Sequence, residues 1–232
     1  MSRLFEGVIE ALRLIIALDP GLLQIVFLSL RVSITAIILA TLIGVPMGAL
    51  LGLKEEKKTR LLNKIIFTFM GMPPVVAGLI IYLILSRQGP LGVLGLLYTP
   101  AAMVIAQVLL AFPIVTGLTT VGIRAKGGEI EETARSLGAG SALASWTVVK
   151  ESRYAIFGAI ISGFSRVVAE VGAVMIVGGN IDGRTRVMTT AIVLESRKGN
   201  FELAIGLGLI LLMISFIVNS ILYTIQKGGK QD

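Results

Sequence analysis

Four stretches of this chain, 32–53, 65–86, 101–120 and 203–226, run without a single charged side chain. A fifth, 154–177, is interrupted only by Arg166 and Glu170. Each is about as long as the 20 or so apolar residues that carry a helix across the hydrocarbon core of a bilayer. Helices are favoured there because lipid offers no partner to an unpaired peptide group. Five spans use about 100 positions of the 232, which leaves loops and no room for a separate nucleotide-binding or catalytic domain. Energy for any work must come from a partner or from an ion gradient. Bulk composition agrees, with 55% hydrophobic residues, 15% charged residues and a mean hydropathy of +0.90, against about 25% charged in soluble domains. The expected fold is all-α: a polytopic, multi-pass protein of the cell (plasma or inner) membrane. It should have five transmembrane helices plus an N-terminal amphipathic helix.

That leading helix is read from Phe5, Val8, Ile9, Leu12, Ile15 and Ile16, which recur at helical spacing opposite Glu6, Glu10 and Arg13. It is too short to span, so residues 1–20 should lie on the membrane surface and stop at Asp19-Pro20-Gly21. Residues 21–228 then form one transmembrane domain. Early acidic residues and the lack of a small-residue cleavage site argue against a removable leader.

Charge sets the topology. One set of loops holds Lys54, Lys57, Lys58, Arg60, Lys64, Arg124, Lys126, Arg135, Lys150, Arg153, Lys227 and Lys230. The other holds Arg3, Arg13, Arg31, Arg87, Arg184, Arg186, Arg197 and Lys198. Basic residues are retained on the cytoplasmic side, so the first set is expected inside, with the N-terminus outside and the C-terminus in the cytoplasm. The net charge of +7 is then explained by basic loops beside anionic lipid, with no call for nucleic acid. The chain has no cysteine and no histidine, which removes disulfides, thiolate nucleophiles, imidazole bases and the usual zinc or haem ligands. No catalytic residue, metal site or bound cofactor is expected.

Residues 124–153 form the largest loop on the expected cytoplasmic side. Glu129, Glu131 and Glu132 stand where they would open a helix, since carboxylates complement the positive end of a helix dipole. Gly138 should stop that helix in a left-handed cap. After Ala139 and Gly140, Ser141 should cap a second helix carrying Leu143, Trp146, Val148 and Val149. The product is a knob with a small-residue elbow, and its Trp146 calls for something to cover it. A plain amphipathic hairpin resting on the bilayer is the competing description.

Glu132-Thr133-Ala134, followed after three residues by Gly138, resembles the EAA loop of permease subunits from binding-protein-dependent ABC importers. The likeness implies a type I ABC importer fold, with 124–153 a coupling loop whose Glu132, Ala134, Gly138, Ala139, Ser141, Leu143 and Trp146 meet an ATP-binding subunit. In place of the family's usual Leu-Pro pair this chain has Lys150-Glu151. The run Pro73-Pro74-Val75-Val76-Ala77-Gly78 and then Arg87-Gln88-Gly89-Pro90-Leu91-Gly92 is similar to the branch that carries molybdate, tungstate and sulfate. Residues 166–181 and 185–192 most resemble the tungstate permeases. The resemblance implies two copies of the chain around a path, an extracytoplasmic substrate-binding protein, and ATP with magnesium on the partner ATPase.

In 154–177, a projection at 100° per residue gathers Ala159, Ser162, Gly163, Arg166, Ala169, Glu170 and Ala173 on one stripe. Phe157, Ile160, Phe164, Val168, Val171 and Met175 fall opposite and should meet lipid. Arginine at mid-membrane costs about 2.5–3.5 kcal/mol on insertion scales, so Arg166 needs a reason. Either it offers charge to an anion in the path, tempered by Glu170, or the two brace neighbouring helices or work a gate. Bracing or gating is preferred, because a separate binding protein can do the recognition. Ser162, Gly163, Pro73 and Pro74 are assigned to the path or gate with them. Asn180, Arg184 and Arg186 are assigned to the outer mouth, where 182–200 should form a short helix. Gly44, Gly48 and Gly52 repeat at i,i+4 and should allow close helix approach. A secondary transporter or channel fits less well, because Glu170 is the only carboxylate in a span and inverted repeats are not evident. A membrane enzyme is remote.

Overall fold

The computed structural model describes residues 19–228 together with Ile9, Arg13, Ile16 and Ala17, and of 225–228 the backbone only. The expected amphipathic helix at 1–20 falls largely outside the described residues. Those residues form nine α-helices and one short 3-10 turn, without a strand. The helices are α1 Pro20–Leu53, α2 Glu56–Met70, α3 Pro74–Leu85, α4 Pro100–Ser136, α5 Ser141–Glu151, α6 Arg153–Val168, α7 Gly172–Gly178, α8 Met188–Lys198 and α9 Phe201–Gly228. The 3-10 turn is Gly92–Leu94.

Three helices, α1, α4 and α9, are long and apolar enough to cross a membrane. The pairs α2/α3 and α6/α7 also qualify if each is taken as one bent span, which raises the number to five. Where five spans were expected, the described residues offer three to five, depending on whether each bent pair crosses as one. At 65–86 the break comes where Pro73 supplies no N–H and Pro74 takes a first-turn position in α3.

One further boundary gains a role, and another differs from expectation. Asp19-Pro20-Gly21 starts a helix: Asp19 Oδ1 accepts the Leu22 N–H at 2.9 Å, and Pro20 is pre-set for the first turn. At the other end of the molecule's longest helix, α4 continues for 37 residues to Ser136. Glu129, Glu131 and Glu132 thus lie near its C-terminal end and cap no N-terminus. Glu131 instead pairs with Arg135 at i,i+4, 2.7 Å apart.

The chain divides into two compact units. Unit 1 takes 1–36, 73–107 and 167–217. Its core includes Leu22 and Ile25 of α1, Met188 and Ala191 of α8, and Leu207 and Ile210 of α9. Helix α3 lies on α7 so closely that a Cβ on Gly78 would sit 2.8 Å from the Ala173 Cα.

Unit 2 takes 37–72, 108–166 and 218–232. Here the glycine repeat of α1 meets α4, as the spacing anticipated. A Cβ on Gly48 would fall 2.6 Å from the Thr116 carbonyl oxygen, and one on Gly52 2.8 Å from Ile123. Near the end of α1, Arg124 donates to the Leu51 carbonyl at 2.9 Å and to Thr59 Oγ1 at 2.7 Å. With its amide oxygen turned inward, buried Asn63 accepts from the same guanidinium at 3.0 Å. One side chain of α4 therefore fastens α1 and α2 and satisfies a last-turn carbonyl that α1 cannot. Leu42 of this unit is 66% exposed, and Phe27, Leu212 and Phe216 of unit 1 are 68% to 74% exposed, each an apolar side chain suited to lipid.

Candidate functional site

The elbow after α4 is a Schellman turn. Gly138 has φ +87; its N–H donates to the Arg135 carbonyl at 2.9 Å, and the Ala139 N–H reaches back to the Ala134 carbonyl at 3.0 Å. Ala134, Gly138 and Ala139 are thus the parts of one helix terminator. Ser141 is the first residue of α5, whose cap is Gly140 with no side-chain hydrogen bond. The expected serine cap is not formed, because Gly140 already takes the extended cap conformation. Ala144 and Val148 bury α5 completely on one side, and Val148 lies against Gly127 of α4. On the other side Leu137, Leu143 and Trp146 stay 84%, 58% and 65% exposed. Between the helices runs a groove of about 610 Å³ lined by Ile130, Ala134, Gly138, Ala139 and Leu143. Glu132 is exposed beside this region.

The second feature is the break between α6 and α7. Helix α6 ends at Val168, so Arg166 and Glu170 do not share a helix and the projected stripe stops there. Ala159 and Gly163 are buried, Gly163 against Val115 and Ile37. Ser162 bonds back to the Gly158 carbonyl at 2.8 Å. Arg166 is half-buried in the last turn of α6. On the opposite stripe Phe157 is exposed, as expected for lipid, whereas Val168 is buried because the break turns it inward.

Glu170 is buried, and its Oε1 accepts the Ala173 N–H of the first turn of α7 at 3.1 Å. Irregular backbone at this depth needs partners from the protein. Gln107 of α4 donates to the Val167 carbonyl at 3.1 Å, and Thr189 of α8 to the Glu170 carbonyl at 2.7 Å. Sequence reasoning missed both. A lone glutamine in a charge-free stretch was the available signal for Gln107. Pro73 and Pro74 stand at another break, before α3.

The third feature is the turn after α7. Gly179 and Asn180 both have positive φ, +71 and +52. The Thr185 hydroxyl donates to the Gly178 carbonyl at 2.6 Å and accepts the Ile181 N–H at 2.9 Å. Asn180 donates to the Thr190 carbonyl at 3.4 Å. Arg186 pairs with Asp182 at 2.8 Å, while Arg184 is exposed. The expected short helix follows as α8. Its buried Glu195 accepts from Lys198 at 2.9 Å and Asn200 at 3.0 Å. The Lys198 hydrogen bond, above all, holds that carboxyl below its ordinary pKa.

Residues 44–228 match the family model described as binding-protein-dependent transport system inner membrane component. The chain belongs to this family. Like the other members it is an inner membrane component of an ABC importer. It is 43% identical, over 98% of its length and all of the relative's, to the tungstate uptake system permease protein TupB of Peptoclostridium acidaminophilum. It is 38% identical over 98% of its length to TupB of Campylobacter jejuni, covering 95% of that protein. A probable anion ABC transporter permease protein of Haloferax volcanii is 38% identical over 86% of this chain and 88% of its own. Among solved structures, an amino acid ABC transporter matches with a TM-score of 0.69 at 19% identity, over 92% of this chain and 96% of that one. That likeness gives the permease its type I ABC fold.

Among the described residues of the permease, no group of three or more acidic side chains could hold a metal ion. The elbow residues come together in one turn and groove of unit 2. Glu170 and Asn180 flank α7 in unit 1, each within its own hydrogen-bonded turn.

Proposed function

We propose that this permease subunit moves a tetrahedral oxyanion, tungstate before molybdate or sulfate, into the cell. The observation that carries the reading is the 43% identity, along nearly the whole chain, to a tungstate uptake permease. Molybdenum and sulfate permeases match at 26% and 28% identity, which ranks those anions lower. ATP and magnesium act on a separate ATP-binding subunit, and an extracytoplasmic binding protein delivers the anion to two copies of the chain.

In this reading Glu132, Ala134, Gly138, Ala139, Ser141, Leu143 and Trp146 meet the ATPase. The groove and the exposed Leu137, Leu143 and Trp146 near it support it, since a run of uncovered apolar side chains is a mark of an interaction surface. Arg166, Glu170, Ser162, Gly163, Pro73 and Pro74 serve the path or its gate, and Asn180, Arg184 and Arg186 the outer mouth. The basic loops favour an outside N-terminus and a cytoplasmic C-terminus.

The test is uptake of tungstate into proteoliposomes holding permease, ATPase and binding protein. Uptake should need all three. In Gly138→Val the valine cannot adopt φ +87 without strain, so ATP hydrolysis should continue while uptake falls. Undiminished uptake without the ATPase, or in Gly138→Val, would refute the coupling assignment. Preference for sulfate would refute the anion.

A further inference from the structure

The C-terminal end of α3 and the loop after it enclose a cavity of about 670 Å³ that no role assigned so far uses. Its polar lining includes Tyr82, Arg87, Gln88 and Tyr98, and no aspartate or glutamate contributes to it. The cavity beside α1, of about 160 Å³, has both Asp19 and Asp182 in its wall. Arg87 has no carboxylate in ion-pair reach among the described residues, whereas Arg186 spends its charge on Asp182. An arginine, an amide and two phenols with no opposing carboxylate are the chemistry of an anion site.

The walls are built to hold still. From Ser86 the backbone folds back on α3: Gly89 N–H donates to the Ser86 carbonyl at 2.8 Å and Leu91 N–H to the Ile84 carbonyl at 3.0 Å. Gly89 and Gly92 press against carbonyl oxygens so closely that neither has room for a side chain. Opposite, Tyr98 is held at φ +61, a conformation an aromatic residue rarely adopts. Its N–H is tied to the Val177 carbonyl at 2.9 Å, and its ring lies over Gly179. The neighbouring Tyr82 hydroxyl, as hydrogen-bond partner, raises the Tyr98 phenol above its ordinary pKa. Tyr98 therefore stays a neutral phenol beside Tyr82.

We infer that the cavity lined by Tyr82, Arg87, Gln88 and Tyr98 binds a tetrahedral oxyanion as it passes from the binding protein to the permease. This rests on the oxyanion reading above and deepens it, because it gives the permease an anion contact of its own. Arg87 supplies charge and paired N–H donors, while Tyr82 and Gln88 supply neutral ones. A single cation among neutral donors holds a dianion without trapping it.

The experiment titrates sodium tungstate onto the purified permease–ATPase complex in detergent, without binding protein or nucleotide, and reads bound tungsten by equilibrium dialysis. Saturable binding is expected, with Arg87→Gln weaker by about tenfold or more, as the loss of a charge-assisted pair implies. Arg87→Lys, which keeps the charge, should recover part of the affinity. Gln88→Glu changes an exposed residue and places a carboxylate in the wall, so it should also abolish binding without a folding defect. Equal affinity in wild type, Arg87→Gln and Gln88→Glu would overturn the site, as would absence of saturable binding.

A phospholipid headgroup presents the same phosphate-like chemistry. If native mass spectrometry finds a lipid retained by wild type and lost in Arg87→Gln while tungstate fails to bind, the occupant is lipid and the proposal falls. Uptake by the complete importer separates the two levels. Wild-type uptake with unaltered variants removes only the site, whereas no oxyanion uptake by wild type removes the oxyanion reading and the site with it.

Discussion

Thr120 Oγ1 donates to the Gly48 carbonyl at 3.2 Å while keeping its bond to the Thr116 carbonyl at 2.8 Å. Helices α1 and α4 can come this close only because position 48 has no side chain. Alanine there would gain up to about 1 kcal/mol in helix propensity. It would also drive a methyl onto the Thr116 backbone oxygen, 2.6 Å away, which cannot swing aside. Overpacking of this kind costs about 1–3 kcal/mol, so Gly48→Ala should lower the melting temperature in detergent. Gly208 has nothing within 4 Å, and Gly208→Ala should leave melting unchanged or raise it.

Arg124 is a clasp with three acceptors on two other helices. Arg124→Lys keeps the charge but cannot reach the Leu51 carbonyl, Thr59 and Asn63 together. Unsatisfied buried acceptors cost about 1–3 kcal/mol. A double-mutant cycle with Thr59→Val should return a coupling energy in thermal denaturation, and strict additivity would contradict the clasp.

Gln107→Leu should leave the Val167 carbonyl without its side-chain donor. The Glu170 N–H still reaches that carbonyl at 3.2 Å, so a loss of about 0.5–1.5 kcal/mol is expected, together with faster hydrogen exchange across 167–175. Gln107→Leu at wild-type stability would mean that water or another donor can take over.

Arg166→Ala should abolish uptake while the ATPase subunit still co-purifies with the permease. Normal transport by an assembled Arg166→Ala complex would remove Arg166 from both the path and the bracing assignments.

Glu195 carries a pH dependence with a defined sign. Its carboxyl titrates lower in the folded protein than in the unfolded chain, where the ordinary value is about 4.3. Its contribution is therefore complete above that value and lost as pH falls toward the folded one. The melting-temperature gap between wild type and Glu195→Gln should be widest at neutral pH and close on acidification. A gap that widened in acid would reverse the assignment.

What the sequence revealed depended on how local the cause was. The glycine repeat at 44, 48 and 52 declared a close contact because spacing alone puts the three on one face. Gly138 likewise announced a helix end, since the constraint lies in its own φ. Asp19-Pro20 is ambiguous by nature: the pair that ends one helix also starts the next. The carboxylates at 129–132 misled because their charge alone suits the start of a helix. Yet α4 runs through them, with Val148 of α5 packed on Gly127. The break at 169–171 was invisible for a different reason. Its partners, Gln107 and Thr189, are 60 and 19 residues from the carbonyls they satisfy.

In an unbroken helix, the oxygens of Val167 and Glu170 would be taken by main-chain amides four residues on. As it stands, the Val167 oxygen takes the Gln107 side chain of α4 beside the Glu170 N–H, and the Glu170 oxygen takes the Thr189 hydroxyl of α8. Straightening would therefore mean parting Gln107 and Thr189 from the carbonyls they hold. The bend between α6 and α7 is thus only as firm as its grip on two neighbouring helices, and whatever loosens either neighbour loosens the bend.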